Sequence, residues 1–131
     1  MNCFKGLFQK EKPKQIPAMP SWAEIIEIMY DRSLDAFADE VVGVVYSIDR
    51  TMRYVVLKNE RGLFSYQLEA IYQLDEDEWK WICSYRDAFP AMWEPVRGVV
   101  GKSLFENEEE LLKEMKEEPE YKQYFDLSHK S

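Results

Sequence analysis

The central part of the chain carries four consecutive β-patterned segments, and this run constrains the fold more than any other feature. The segments cover residues 41–48, 52–58, 63–74 and 78–85. They are rich in β-branched and aromatic side chains, which favour strands. The third segment alternates most regularly, because every second residue from Phe64 to Leu74 is apolar or aromatic. The fourth places Trp79, Trp81, Cys83 and Tyr85 on one predicted strand face.

The connections between these segments are short, which limits how the strands can pair. Residues 49–51 predict a turn, and Gly62 supplies the conformational freedom that a hairpin loop requires. Asp75, Glu76 and Asp77 predict an acidic turn before the fourth segment. Strands joined this closely pair antiparallel. The sequence therefore predicts a four-stranded antiparallel meander with one buried face.

Helical patterns flank the predicted sheet on both sides. Ser21 and Glu24 form a capping box ahead of an apolar stripe at i, i+3, i+4 and i+7, which predicts a helix over residues 21–38. Asn107 is a second cap, and Glu110 three residues later is its expected partner. Pro119 ends that helix and can open a shorter one. The predicted fold class is α+β, with the C-terminal helices packed on one face of the sheet.

The length of 131 residues predicts one domain with a substantial core. We divide the chain into a basic, proline-containing lead-in over 1–20, a single domain over 21–126 and a tail over 127–131. Residues 86–102 predict a long connector between the sheet and the C-terminal helices.

The residue inventory offers little for catalysis, so the sequence predicts a protein that is not an enzyme. The single histidine, His129, lies in the tail, where chains are commonly mobile. The glycines form no phosphate-binding motif, and the two cysteines have no zinc-ligand spacing. Asp75, Glu76 and Asp77 can in principle bind a cation or act as acid and base, but aspartates at a strand turn are commonly only solvated. We therefore predict no cofactor and no metal.

The charge of the chain indicates what kind of partner it can bind. The net charge is −8, and residues 1–20 carry four lysines and one glutamate, so the remainder carries −11. An acidic body repels nucleic acids and anionic membranes, and it attracts basic proteins. The sequence contains no apolar run near the ~20 residues of a membrane span and no signal-peptide pattern. The expected location is the cytoplasm.

Two segments carry a resemblance to a known class of protein. They are the strand segment over 62–69, GLFSYQLE, and the acidic helix entry over 103–110, SLFENEEE. With its size, charge and order of sheet and helices, the chain resembles the small acidic immunity proteins of bacterial polymorphic-toxin systems. Those proteins pair with basic toxin domains, often nucleases, and block them. The resemblance implies an inhibitor of a basic protein, and it transfers no individual functional residue.

Charge and position therefore supply the predicted contacts. Acidic contacts are expected at Asp75, Glu76, Asp77, Glu106, Glu109, Glu110, Glu117 and Glu118, and aromatic anchors at Tyr72, Trp93 and Tyr121. The alternative is a small-molecule pocket between the sheet and the connector, lined by Trp79, Trp81, Tyr85 and Trp93. A structural subunit of a larger complex is a third possibility. The sequence leaves the oligomeric state open.

Overall fold

The computed structural model describes residues 16–85, 89–97 and 103–126. The predicted lead-in is therefore described only from residue 16, and the predicted tail, with His129, lies outside the described residues. The helices are α1 (Trp22–Met29), α2 (Glu76–Cys83) and α3 (Glu108–Lys116), and the strands are β1 (Glu40–Tyr46), β2 (Met52–Lys58), β3 (Phe64–Gln73) and β4 (Ala91–Pro95). A 3₁₀ turn (Leu34–Ala36) follows α1, and a π-helical turn (Tyr121–Phe125) follows α3.

The four strands form one antiparallel sheet in the order β1-β2-β3-β4, so the predicted α+β class and the meander are confirmed. In the central pair, Tyr54 lies opposite Leu68 and Arg53 opposite Glu69. Because side chains alternate along a strand, this register sends Tyr54 and Leu68 to one face and Arg53 and Glu69 to the other.

The first of these faces, called here the α3 face, is covered by the C-terminal helices. Leu111 and Met115 of α3 and Phe125 of the π-helical turn form one cluster with Tyr54, Val56 and Leu68. Leu111 and Met115 are fully buried. Burial of this apolar surface is what holds the C-terminal part of the chain on the sheet.

The opposite face, called here the α1 face, is also covered, so the prediction of only one buried face was wrong. Ile25 and Met29 of α1 pack with Ala91 and Trp93 of β4, and Tyr46 and Ile71 are partly buried against them. The Arg53 side chain is fully buried on this face, and its Nε donates to Glu69 Oε1 at 2.8 Å. A strand with buried residues on both faces loses the simple alternation that predicted one solvated face.

The fourth predicted strand, over residues 78–85, is the main error in the predicted element order. Residues 76–83 form the helix α2, and the fourth strand of the sheet is Ala91–Pro95, inside the predicted connector. Asp75 caps α2: its side chain accepts from the Glu78 amide at 2.8 Å, and the Asp75 amide donates to Glu78 at 2.9 Å. This is a capping box in the sequence, and it outweighs the period-2 pattern of the tryptophans.

The flanking helices agree with their predicted caps, though not with all their predicted lengths. Ser21 and Glu24 form the predicted capping box of α1, which ends at Met29 instead of continuing to residue 38. Asp31 and Ser33 have positive φ angles, which right-handed helical backbone does not allow, so the chain turns here. Asn107 accepts from the Glu110 amide at 2.9 Å, as predicted for α3.

Candidate functional site

Helix α2 exposes two large aromatic side chains beside the end of the sheet. Trp81 is 65% exposed and Tyr85 is 72% exposed, and their ring centroids lie 5.2 Å apart. The inward side of α2 is formed by Trp79 and Cys83, which are buried against Leu74. Residues 79 and 83 are one helical turn apart, whereas Trp81 falls on the opposite side of the helix. The helical conformation therefore divides the aromatic residues that a strand would have aligned.

A shallow apolar cleft of about 500 Å³ lies between α2 and the neighbouring strand. It is lined by Leu74, Asp77, Glu78, Trp81, Ile82 and Met92. Met92 of β4 is itself exposed. Exposed apolar side chains that gather at one place, with carboxylates at the rim, are typical of binding sites. We call this set of lining residues, together with Tyr72 and Tyr85, the α2 surface.

The acidic rim of the α2 surface is held in place by hydrogen bonds. Glu78 Oε1 accepts from the Tyr72 hydroxyl at 2.8 Å in addition to the Asp75 amide. The hydrogen bond to Glu78 raises the pKa of Tyr72 above its ordinary value. Glu76 forms an exposed ion pair with Lys80 at 3.1 Å. The first turn of α2 thus presents carboxylates in defined positions next to exposed aromatic rings.

A second acidic cluster lies where α3 meets the π-helical turn. Glu118 Oε2 accepts from the Tyr66 hydroxyl at 2.7 Å, and its Oε1 accepts from the Tyr54 hydroxyl at 2.8 Å and from Arg97 at 3.3 Å. Arg97 also pairs with Glu120. Burial, followed by the hydrogen bond to Glu118, raises the pKa of both tyrosines above the ordinary value. We call this set the Glu118 cluster.

The two acidic regions share one face of β3. Tyr66 and Tyr72 are six residues apart on that strand and therefore point to the same side. At about 3.3 Å per residue their Cα atoms are separated by roughly 20 Å. Each tyrosine donates to a glutamate of a different helix, Glu118 or Glu78. A protein interface of standard size, about 800 Å² per partner, is wide enough to include both.

The predicted aromatic pocket is not formed, since its four members lie in different environments. Trp93 belongs to the α1 face: its indole nitrogen donates to the Met29 carbonyl at 2.8 Å, and the Arg53 guanidinium lies 4.2 Å from its ring centroid. Trp79 is buried and donates to the Pro17 carbonyl at 2.8 Å. Only Trp81 and Tyr85 are exposed. Trp93 is therefore unavailable as the predicted partner anchor.

The remaining predicted contacts divide between surface and core. Asp75, Glu76 and Asp77 lie in the first turn of α2 and its cap, not in a hairpin tip, and they are exposed. Tyr121 is partly buried against the cluster on the α3 face, so it has a structural role there. Four of the predicted acidic contacts in the C-terminal region are exposed, namely Glu106, Glu109, Glu110 and Glu117, and Glu117 forms an ion pair with Lys122. Glu118 is committed to Tyr54, Tyr66 and Arg97.

Sequence reasoning missed four members of the α2 surface: Leu74, Glu78, Ile82 and Met92. The capping box from Asp75 to Glu78 was the signal that could have located the helix. It would have placed Trp81 on the outer side of the helix, and Trp79 on the inner side with Ile82 one turn later. Met92 had no such signal, because its position beside α2 depends on how β4 pairs with β3.

Within the described ranges, no group of three or more His, Cys, Asp or Glu residues is arranged to hold a metal ion. Among the helices of those same ranges, none combines the length and the apolar content of a membrane span.

Comparison of the chain with protein-family models, with curated protein sequences and with solved structures finds no match in any of the three. The function of the chain is therefore inferred from the geometry and chemistry of the α2 surface.

Proposed function

We propose that this chain is a protein-binding module that recognises a basic partner through the α2 surface and inhibits it, in the manner of an immunity protein. The observation that carries the proposal is the exposed pair Trp81 and Tyr85 above an apolar cleft with carboxylates at its rim. Tryptophan and tyrosine are the residues most enriched at interface hot spots. Their exposure in a free chain is explained if a partner covers them.

Charge favours a basic partner. The chain carries −8 overall, and Glu78 of α2 and Glu118 after α3 each accept a hydrogen bond from a tyrosine on the same face of β3. Complementary charge raises the rate of association, and salt weakens this effect because it screens exposed charges. A toxin domain with a basic active-site cleft, such as a nuclease, is the type of partner that an acidic inhibitor of this shape would block.

The test compares three versions of the chain as bait in a lysate of the source organism. They are the wild type, Trp81→Ala and the control Leu112→Ala, which removes an exposed apolar side chain from α3. A basic protein should be retained by the wild type and the control. With the purified partner, Trp81→Ala should weaken the dissociation constant by about tenfold or more, as expected for a hot spot.

Salt provides the second arm of this test. In about 0.5 M salt, where the Debye length is only a few ångströms, the association rate should fall while dissociation changes less. An interaction that is equally strong in Trp81→Ala would show that the α2 surface is not the binding site. An association rate that does not change with salt would show that charge attraction does not drive the association.

The cleft also supports a second candidate, a small-molecule site. Its volume of about 500 Å³ falls in the range of ligand pockets, and most of its lining is apolar. Such a ligand would contact Trp81 rather than Trp79 or Trp93. A metabolite that shifts tryptophan fluorescence in the wild type but not in Trp81→Ala, with no partner protein recovered, would favour this function.

A further inference from the structure

The first described residues of the chain lie directly against α2. The indole nitrogen of Trp79 donates to the Pro17 carbonyl at 2.8 Å, and Met19 packs on the buried side of the helix. With the first turn of α2, residues 16–19 line a cleft of about 670 Å³, which includes Leu74, Asp75 and Glu76. Whatever precedes Ile16 therefore begins beside the acidic turn of this helix.

The sequence that precedes Ile16 has the chemistry that the α2 surface is suited to bind. Residues 1–15 contain four lysines and one glutamate, a net charge of +3. They also contain three large apolar side chains, Phe4, Leu7 and Phe8. Lysines at 10, 12 and 14 stand between these apolar residues and the point where the described chain starts. The segment thus combines positive charge with apolar anchors, as the proposed partner would.

The segment is long enough to reach the cleft. Phe8 precedes Ile16 by eight positions, and extended chain covers about 3.3–3.6 Å per position, so the distance spanned is up to roughly 26–29 Å. A helix with its side chains is only about 10–12 Å across. The two clefts share Leu74. A path from Ile16 to Trp81 crosses the turn that holds Asp75, Glu76 and Asp77, where the lysines would lie.

We propose that residues 4–14 of this chain occupy the α2 surface in the same molecule, with the apolar side chains against Trp81 and Met92 and the lysines against the carboxylates of the first turn. Because the segment belongs to the same chain, its effective concentration at the cleft is on the order of millimolar, so an intrinsic dissociation constant of about 1 mM is enough for half occupancy. A partner then has to displace this segment. The inference concerns the α2 surface alone and holds whether or not the proposed partner exists.

The test uses the full-length chain with a nitroxide spin label on Cys3. Cys83 is the only other cysteine and is buried, and Cys83→Ser makes the labelling unique. The NMR signal to follow is the indole N–H of Trp81. The control signal is the amide of Gly62, in the loop before β3. The ten-residue strand β3, about 30 Å long at 3.3 Å per residue, separates this loop from the end of the strand next to α2. The label should reduce the Trp81 signal at least about twofold, as half occupancy requires. The Gly62 signal should be unchanged.

Two further samples make the outcome decisive. Replacing Lys10, Lys12 and Lys14 by glutamate should restore the Trp81 signal. The same triple variant with Cys83 intact and no label should shift the Trp81 indole resonance, which guards against a Cys83→Ser chain that does not fold. Equal signals at Trp81 and Gly62 would overturn the proposal. A second control mixes an isotope-enriched chain that carries no spin label with a spin-labelled chain. Broadening of the Trp81 signal in this mixture would also overturn the proposal, because the contact would then come from a second copy. Failure to find a partner that depends on Trp81 affects only the proposed function.

Discussion

Two acidic helices of this protein, α2 and α3, have similar charge and opposite relations to the sheet. Around α3, the neighbouring aromatic side chains are turned inward: Tyr54 is fully buried, and its hydroxyl donates to Glu118. Around α2, Trp81 and Tyr85 are turned outward, and the apolar cleft beside them remains open. The difference lies in the aromatic residues, since both helices begin with a turn of acidic residues.

This contrast shows that a count of carboxylates does not locate a binding surface. In the Glu118 cluster, the carboxylate accepts hydrogen bonds from two tyrosines and an arginine, so its role is to fix the C-terminal region to the sheet. At the α2 surface, the corresponding pair of Glu78 and Tyr72 is exposed or nearly so. Glu78 and Tyr72 are therefore accessible to a binding partner, whereas Glu118 is already engaged by its three donors.

The largest difference between the two regions should appear in stability when a methionine is truncated. Met115→Ala removes a fully buried side chain of α3 and should lower the free energy of unfolding by about 2–5 kcal/mol. Met92→Ala, at the exposed α2 surface, should lower it by less than about 1 kcal/mol, since little packing is lost. Urea unfolding followed by circular dichroism measures both. Similar losses for the two variants would mean that Met92 is part of the core.

A smaller difference in the free energy of unfolding is expected between variants of two carboxylates, Glu118 and Asp77. Glu118→Gln removes the negative charge and replaces one acceptor oxygen by an amide NH2 group, which cannot accept the hydrogen bond of its tyrosine. This change should lower the free energy of unfolding by about 1–3 kcal/mol. Asp77→Asn, an exposed change on α2, should stay within about 0.5 kcal/mol. Equilibrium unfolding of both variants at neutral pH provides the comparison. Equal losses of unfolding free energy would show that Glu118 and Asp77 do not differ in their contribution to the fold.

The Glu118 cluster should also make the free energy of unfolding decrease at alkaline pH. Burial and the hydrogen bond to Glu118 raise the pKa of Tyr54 and Tyr66 in the folded chain above the unfolded value of about 10. The folded state therefore favours the protonated phenols. Their contribution is complete below about pH 10, and it is lost as the pH rises from that value towards the folded-state pKa.

Thermal unfolding of the wild type and of the double variant Tyr54→Phe, Tyr66→Phe between about pH 8 and 11 measures this dependence. The melting temperature of the wild type should fall more steeply above about pH 10 than that of the double variant. Parallel curves would show that these two hydroxyls contribute nothing to the alkaline loss of stability. Tyr72→Phe, at the exposed α2 surface, provides the comparison and should change the curve less than the double variant does, because solvent screens the Tyr72–Glu78 hydrogen bond.

The smallest effect on stability is expected for Trp81, the residue that we propose as the main binding anchor. Trp81→Ala truncates a side chain that is mostly in solvent and should change the free energy of unfolding by no more than about 0.5 kcal/mol. Its unfolding curve should overlay that of the wild type. A loss above ~2 kcal/mol would place Trp81 in the fold, and the loss of binding in that variant would then need another explanation.

The prediction from sequence succeeded where a pattern was local and repeated. The α+β class, the antiparallel meander and the caps at Ser21 and Asn107 follow from short-range rules, and the structure confirms them. It failed over residues 78–85, where a period-2 aromatic pattern competed with the capping box between Asp75 and Glu78. The error also displaced the fourth strand, which lies over Ala91–Pro95.

The sequence alone determined the acidic charge and the element types over most of the chain. It also determined the aromatic content, which supplies the candidate anchor residues for a partner. The tertiary structure alone decided which aromatic residues are available. Trp79 and Trp93 are buried by segments distant in sequence, through the carbonyls of Pro17 and Met29, while Trp81 is 65% exposed in the described part of the chain. Exposure depends on contacts between elements far apart along the chain, and the periodicity of one segment carries no information about what packs against it.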